Sequence, residues 1–259
     1  MTDLNLGFIQ TQLHWEDPTA NRQMLESKID EVKDADLIIL PEMFSTGFSM
    51  ASQQYAEPMS GETVQWLKRQ SEIHSTAICG SVMIEEDGNF YNRFLLFAPN
   101  QQPASYDKRH LFRMADEHQH YSPGSDRLVF EIKGVRICPQ VCYDLRFPVF
   151  SRNQNDYDLL LFVANWPARR AHHWRSLLTA RAIENLCFVA AVNRIGSDGN
   201  SIEYCGDSGL INANGDWQLD LGDQERSAIA SIDMAELNDY RKVFPAWQDA
   251  DNFTLKSFA

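Results

Sequence analysis

The sequence has no run of lysines and arginines. Its 23 basic residues are outnumbered by 36 acidic ones, for a formal net charge of −13 and a pI of about 4.9. A surface this acidic repels phosphate backbones and anionic lipid, so no nucleic-acid or membrane partner is expected. No window reaches the roughly 18 uninterrupted apolar residues of a membrane span. The start, Met1-Thr2-Asp3-Leu4-Asn5, also lacks the basic and apolar regions of a secretory signal, and a cytoplasmic protein is expected. CxxC and HExxH are both missing. Cys138 and Cys142 are four apart, and His110, His118, His120, His172 and His173 lie nearby in sequence, which raises the idea of zinc. Pro139 argues against a helix that would present both thiols on one face, so no metal is expected. The five cysteines, Cys79, Cys138, Cys142, Cys187 and Cys205, are odd in number in a chain too large to need staples, and read as free thiols. No period of 20–50 residues repeats and no segment is of low complexity. With 44% hydrophobic residues the chain can bury a sizeable core, and 1–259 reads as a single domain.

The apolar pattern alternates between two periods. Leu4 to Gln10 reads as a first strand. Asp17-Pro18 is then a good N-cap and N1 pair for a helix whose face carries Leu25, Ile29 and Val32. Leu37-Ile38-Ile39-Leu40 reads as a buried strand, broken by Pro41-Glu42, which puts a carboxylate at its carboxyl end, where α/β sheets build their sites. A second helix is expected from Ser60, carrying Val64 and Leu67. Strands follow at Ala77 to Ile84, Phe90 to Phe97 and Leu128 to Cys142, with turns at Asp87-Gly88 and Lys133-Gly134. The second half repeats the alternation: strand Leu159 to Val163, helix Trp174 to Asn185, strand Phe188 to Asn193, a hairpin about Asn214-Gly215, and a closing strand Ala228 to Ile232. Two sets of strands with paired helices suggest an α/β fold of four layers, an α-β-β-α sandwich. The pattern alone does not separate this from a three-layer α/β fold.

Three segments place polar residues after apolar runs with no turn to explain them: Leu40-Pro41-Glu42-Met43-Phe44, Tyr106-Asp107-Lys108-Arg109-His110-Leu111-Phe112, and Cys138 to Pro148 with Cys142-Tyr143-Asp144-Leu145-Arg146 at its centre. Taken singly, Glu42 reads as a first-turn helix carboxylate, Lys108 as a solvated strand end and Cys142 as a small core residue. Together they resemble the Glu-Lys-Cys triad of the nitrilase, or carbon–nitrogen hydrolase, superfamily. Pro41-Glu42, the DKRHLF segment and the CYDLRFP segment each match a family motif. Ala164-Asn165-Trp166-Pro167, Arg181 to Asn185 and Gly206-Asp207-Ser208 agree as well. The sequence most resembles the omega-amidase branch, which hydrolyses the terminal amide of 2-oxoglutaramate and related dicarboxylate monoamides.

The resemblance implies the nitrilase-like sandwich, no metal or organic cofactor, a small-molecule amide and water as reactants, and a homodimer. It also implies roles. Cys142 is the nucleophile, Glu42 the proton carrier, and Lys108 with the backbone N–H of Tyr143 the oxyanion partner. Glu117 matches the family's second glutamate and would hold Lys108, although its surroundings read as a polar loop. His118 and His120 carry no expectation, and His110 reads as a buried supporting group. Arg146, four residues past Cys142, is the leading candidate for the substrate's distal carboxylate; a salt bridge to Asp144 or Glu184 is the competing reading, and Arg113 and Arg170 are weaker alternatives. Nitriles, N-carbamoyl amino acids and aliphatic amides are alternative substrates for the same triad. A non-enzymatic binding protein on the same fold is disfavoured because all three triad residues are present.

Overall fold

The computed structural model describes residues 3–255. Its strands are β1 (Leu4–Gln10), β2 (Leu37–Ile39), β3 (Ala77–Glu86), β4 (Asn89–Phe97), β5 (Ala104–Asp107), β6 (Phe130–Ile132), β7 (Val135–Val141), β8 (Leu159–Ala164), β9 (Phe188–Asn193), β10 (Ile195–Ser197), β11 (Glu203–Cys205), β12 (Gly209–Ile211), β13 (Trp217–Asp220) and β14 (Arg226–Ile232). One six-stranded sheet runs β14-β1-β2-β3-β4-β5 and the other β13-β12-β9-β8-β7-β6. Both are built alike. Three parallel strands, β1-β2-β3 or β7-β8-β9, form the centre, and antiparallel strands extend each side.

Period-two alternation sends one set of side chains from each strand inward. Leu4, Leu6 and Phe8 on β1, Leu37 and Ile39 on β2, and Leu159, Leu161 and Val163 on β8 all meet in the layer between the sheets. The intervening residues face outward onto helices. Ile9, Ile38 and Ile78 pack with Leu25, Ile29, Val64 and Leu67 of helices Pro18–Glu31 and Glu62–His74. Leu160, Phe162 and Val189 pack with Trp174, Leu178 and Ala182 of helix Ala171–Asn185. Both faces of each sheet are therefore covered, which explains the continuous apolar runs of the central strands. These four layers are the α-β-β-α sandwich. Pro139 is tolerated inside β7 because β6 pairs only as far as Ile137, leaving that edge open.

Local signals hold in several places. The Asp17 side chain accepts the Ala20 N–H, with Pro18 at the first helical position. Asp87 and Gly88 both take positive φ, as a two-residue hairpin loop requires. The second helix begins at Glu62 rather than Ser60, because Glu57 from the preceding segment accepts the N–H groups of Thr63 and Val64. The stretch Leu128 to Cys142 is interrupted at Lys133-Gly134, as expected, giving β6 and β7. Cys142 opens a one-turn 3-10 helix, Cys142–Arg146, instead of ending the strand. The pattern reading missed β5, the β10–β11 hairpin and helix Met234–Val243, whose N-cap is Asp233. No helix among the described residues is long and apolar enough to cross a membrane.

Leu161 is fully buried between the sheets. Leu161→Ala is expected to cost about 2–5 kcal/mol in urea unfolding, with no loss of activity per folded molecule. A cost below about 1 kcal/mol would show that the two sheets do not close on this position.

Candidate active site

Three strand ends supply the chemistry-bearing side chains. Glu42 follows β2, and the next residue, Met43, is forced to φ +44, with its N–H held by Ser81 Oγ at 2.8 Å. Lys108 follows β5, its N–H bonded to the Asn92 carbonyl of β4 at 3.0 Å. The Lys108 carbonyl accepts the Gly124 N–H, and a Cβ at Gly124 would come within 2.2 Å of the Asp107 oxygen, so only glycine permits this approach. Cys142 follows β7 at φ +46, a left-handed conformation that β-carbon sterics disfavour and the surroundings must hold. Asp144 does much of that holding. Its carboxylate accepts from the N–H of Val141 at 2.9 Å, from the N–H of His110 at 3.0 Å and from the Tyr106 hydroxyl at 2.8 Å, and the Nδ1 of His110 lies 2.7 Å away. The elbow is thereby tied to the Lys108 segment. His110, expected to be buried, is half-buried instead, stacked on Phe147 with ring centroids 3.9 Å apart.

Glu42, Lys108 and Glu117 form one buried cluster, with side chains 0–1% exposed. Lys108 Nζ donates to Glu42 Oε1 and to Glu117 Oε1, each at 2.9 Å. Glu117 does not sit in a polar loop. It opens a one-turn helix, Glu117–His120, fully buried, and its Oε2 accepts the Phe112 N–H at 2.5 Å. Two asparagines that carried no role in the sequence reading complete the cluster. Asn92 Nδ2 donates to Glu42 at 2.8 Å and to Glu117 at 3.3 Å. The Asn165 N–H donates to Glu42 Oε2 at 2.8 Å, and its side chain donates to the Glu42 carbonyl at 2.6 Å. Each carboxylate is thus oriented from several sides. Asn165 stood in a quoted motif, but Asn92 lies mid-strand where no local signal marks it.

Burial alone would drive the Lys108 ammonium toward neutrality, yet Glu117 and Glu42 outweigh it and hold its pKa above the usual lysine value. Burial raises the Glu117 carboxyl above the ordinary range, with Lys108 opposing and Glu42 reinforcing the shift. The Cys142 thiol is pushed well up, first by burial and then by the negative charge of Glu42, and Lys108 only partly offsets both. A thiol so placed stays protonated at neutral pH, and thiolate forms only as a base takes its proton.

Cys142, Lys108, Asn165 and Tyr143 face a cavity of about 350 Å³. Arg146 lines it as well, its guanidinium over the Trp166 ring at 4.7 Å and its Nη2 3.1 Å from His173 Nδ1. The competing ion pairs do not form: Asp144 serves the elbow and Glu184 pairs with Arg181. Arg170 lines the same cavity, whereas Arg113 lines a different one. Among the described residues no group of three or more His, Cys, Asp or Glu is placed to hold a metal ion; Cys138 is buried in the core on β7.

Two sheets face to face under outer helices, with a Glu–Lys–Cys cluster at the strand ends, define a nitrilase-type hydrolase. A profile of the carbon–nitrogen hydrolase family matches residues 5–242, and the chain belongs to that family. It is 48% identical over 258 residues to omega-amidase YafV of Escherichia coli K12, covering 98% of this chain and 100% of that one. It is 36% identical to the 2-oxoglutaramate amidase of Bacillus subtilis, covering 94% and 96%. A CN-hydrolase superfamily protein from Xanthomonas campestris, solved with an arsenic adduct in its active site, superimposes with a TM-score of 0.97 at 46% identity, covering 99% of this chain and 100% of that one.

The five thiols differ in setting. Cys79, Cys138 and Cys187 are buried in the core, while Cys205 is half-buried and, by burial first, pushed up to about 11. With limiting iodoacetamide at neutral pH, Cys142 is expected to be alkylated first, and Glu42→Gln to slow it to the rate of Cys205 or below. Peptide mapping reads the result. Cys205 reacting first in the unaltered protein would contradict the coupling of thiol and carboxylate.

Proposed function

We propose that this protein is a cysteine-dependent omega-amidase that cleaves the terminal amide of 2-oxoglutaramate and similar dicarboxylate monoamides to the acid and ammonia. The observation that carries the reading is one buried ammonium, Lys108, shared between two carboxylates beside the Cys142 thiol of an open cavity. The amidase relatives named above support the choice of reaction. Glu42 accepts the thiol proton as Cys142 Sγ attacks the amide carbonyl. The oxyanion that forms is held by Lys108 Nζ and the Tyr143 backbone N–H. Glu42 then protonates the departing nitrogen, ammonia leaves, and a thioester remains on Cys142. Water activated by Glu42 attacks that thioester and releases the acid. Glu117 and Asn92 hold Lys108 in line throughout; donors aimed at an oxyanion are worth on the order of 10²–10³ in rate. Arg146 binds the distal carboxylate. The same reading takes 1–259 as one catalytic unit, a cytoplasmic homodimer that uses water and no metal or organic cofactor, as the family resemblance implies.

Ammonia release across dicarboxylate monoamides, nitriles and N-carbamoyl amino acids tests this. Dicarboxylate monoamides are expected to give the highest kcat/KM, and faster turnover of a nitrile or a carbamoyl compound would replace the reading. Arg146→Leu is expected to cost about 2–5 kcal/mol in kcat/KM on 2-oxoglutaramate, mostly through KM, because a charge loses its partner. Equal losses on a neutral short amide, with a lowered Tm, would assign Arg146 to the fold instead.

A further inference from the structure

The cavity mouth concentrates positive charge in a protein of net charge −13. Arg146, Arg169 and Arg170 all line it, and among the described residues none of the three forms an ion pair. Arg169 and Arg170 belong to the turn Ala168–Arg170, which leads from β8 into helix Ala171–Asn185. Their guanidinium groups converge on one atom, the Met114 sulfur: Arg169 Nη2 and Arg170 Nη1 each lie 3.8 Å from it. Arg170 is also stacked over the Phe112 ring at 5.2 Å. Thioether and ring hold the guanidinium in place without neutralising it. The crowding is felt electrostatically, since burial and then the charges of Arg169 and Arg146 lower the Arg170 pKa from its ordinary value. Arg170 lines the same cavity as Cys142 and Tyr143. The cavity lining includes one carboxylate, Asp198, which already accepts from the N–H groups of Asn200 and Ile202 and from the Tyr204 hydroxyl. Lys108, the remaining cation, is engaged with Glu42 and Glu117.

Unpaired cations at this density repel one another, and a site that keeps them gains most when an anion enters. We propose that Arg170, together with Arg169 and Arg146 on the same cavity, selects the non-reacting end of the substrate as an α-oxo carboxylate and rejects the corresponding α-amino acid. The inference rests on the omega-amidase reading and deepens it. A carboxylate beside a neutral carbonyl brings only negative charge and acceptor oxygens to the three guanidinium groups. The same carbon skeleton bearing an ammonium brings a fourth positive charge into them, with Asp198 already committed to its own hairpin. Discrimination then comes from repulsion of the wrong partner as much as from attraction of the right one.

Three five-carbon amides that differ only at C2 test this: glutaramate with a methylene, 2-oxoglutaramate with a carbonyl, and glutamine with an ammonium. Butyramide, which has no carboxylate, serves as the reference. Steady-state kcat and KM are measured for the unaltered protein, Arg170→Gln, Arg170→Lys and Arg169→Gln. For Arg170→Gln the KM for 2-oxoglutaramate is expected to rise about 30-fold, the low end of the loss when a paired charge is truncated. The preference for 2-oxoglutaramate over glutamine is expected to narrow about tenfold. Arg170→Lys should restore part of both, and Arg169→Gln should narrow the preference less than Arg170→Gln. An Arg170→Gln protein that keeps the original KM and preference overturns this proposal while leaving the omega-amidase reading intact. A matched fall in kcat on all four amides with a lowered Tm also overturns it, in favour of a structural role. Failure of the unaltered protein to turn over 2-oxoglutaramate, with butyramide hydrolysed, overturns both.

Discussion

The structure turns on a buried ammonium held between two carboxylates. Removing Lys108, Glu42 and Glu117 from water costs several kcal/mol per ion, and that cost is recovered only with close geometry and full hydrogen bonding. The surroundings supply both. Asn92 and Asn165 donate to the carboxylates, the Phe112 N–H closes on Glu117, and the backbone of β4 fixes the Lys108 segment. Removing Lys108 would leave two carboxylates buried together with no cation between them, so the cluster depends on its ammonium. Its members come from both sheets and from the loops between them, and the two sheets must therefore pack in one register for it to exist.

That dependence explains how the fold and the reaction are joined. Alternating residues of β1, β2, β7 and β8 lock the sheets face to face, and this brings the carboxyl ends of β2, β5, β7 and β8 to one side. Glu42, Lys108, Cys142 and Asn165 follow those four strands. Met43 and Cys142 adopt left-handed backbone immediately at the strand ends, an energetic cost of about 1–3 kcal/mol each. Asp144 offsets it at the elbow by accepting from Val141 beside it and from Tyr106 and His110 of the Lys108 segment, so the strained residue is over-determined.

Much of this was legible before the structure. The central strands and the three large helices facing the sheets follow from period and capping, and the triad follows from the motifs that carry the family resemblance. Features that depend on distant partners were not legible. Asn92 occupies an ordinary polar position within β4, and only the approach of Glu42, fifty residues earlier in sequence, makes it part of the site. Glu117 sits among histidines and glutamine, so its burial depends on the Lys108 charge that it meets. The second helix starts late because Glu57, outside it, supplies the cap. The fate of Arg146 could not be read because Asp144, its nearest acid in sequence, faces the other way into the elbow. Helix Met234–Val243 buries one apolar residue, Leu237, too little to stand out as a periodic stripe.

The central claim is that the shared ammonium lets Glu42 take the proton of a raised-pKa thiol, so that Cys142 becomes acylated. Intact mass spectrometry on samples quenched in acid during turnover of 2-oxoglutaramate tests it most directly. A species heavier than the free protein by the substrate minus ammonia is predicted, mapped to Cys142, formed and lost in step with turnover, and absent in Lys108→Met. Turnover without any adduct, or with the adduct on another residue, would contradict the account.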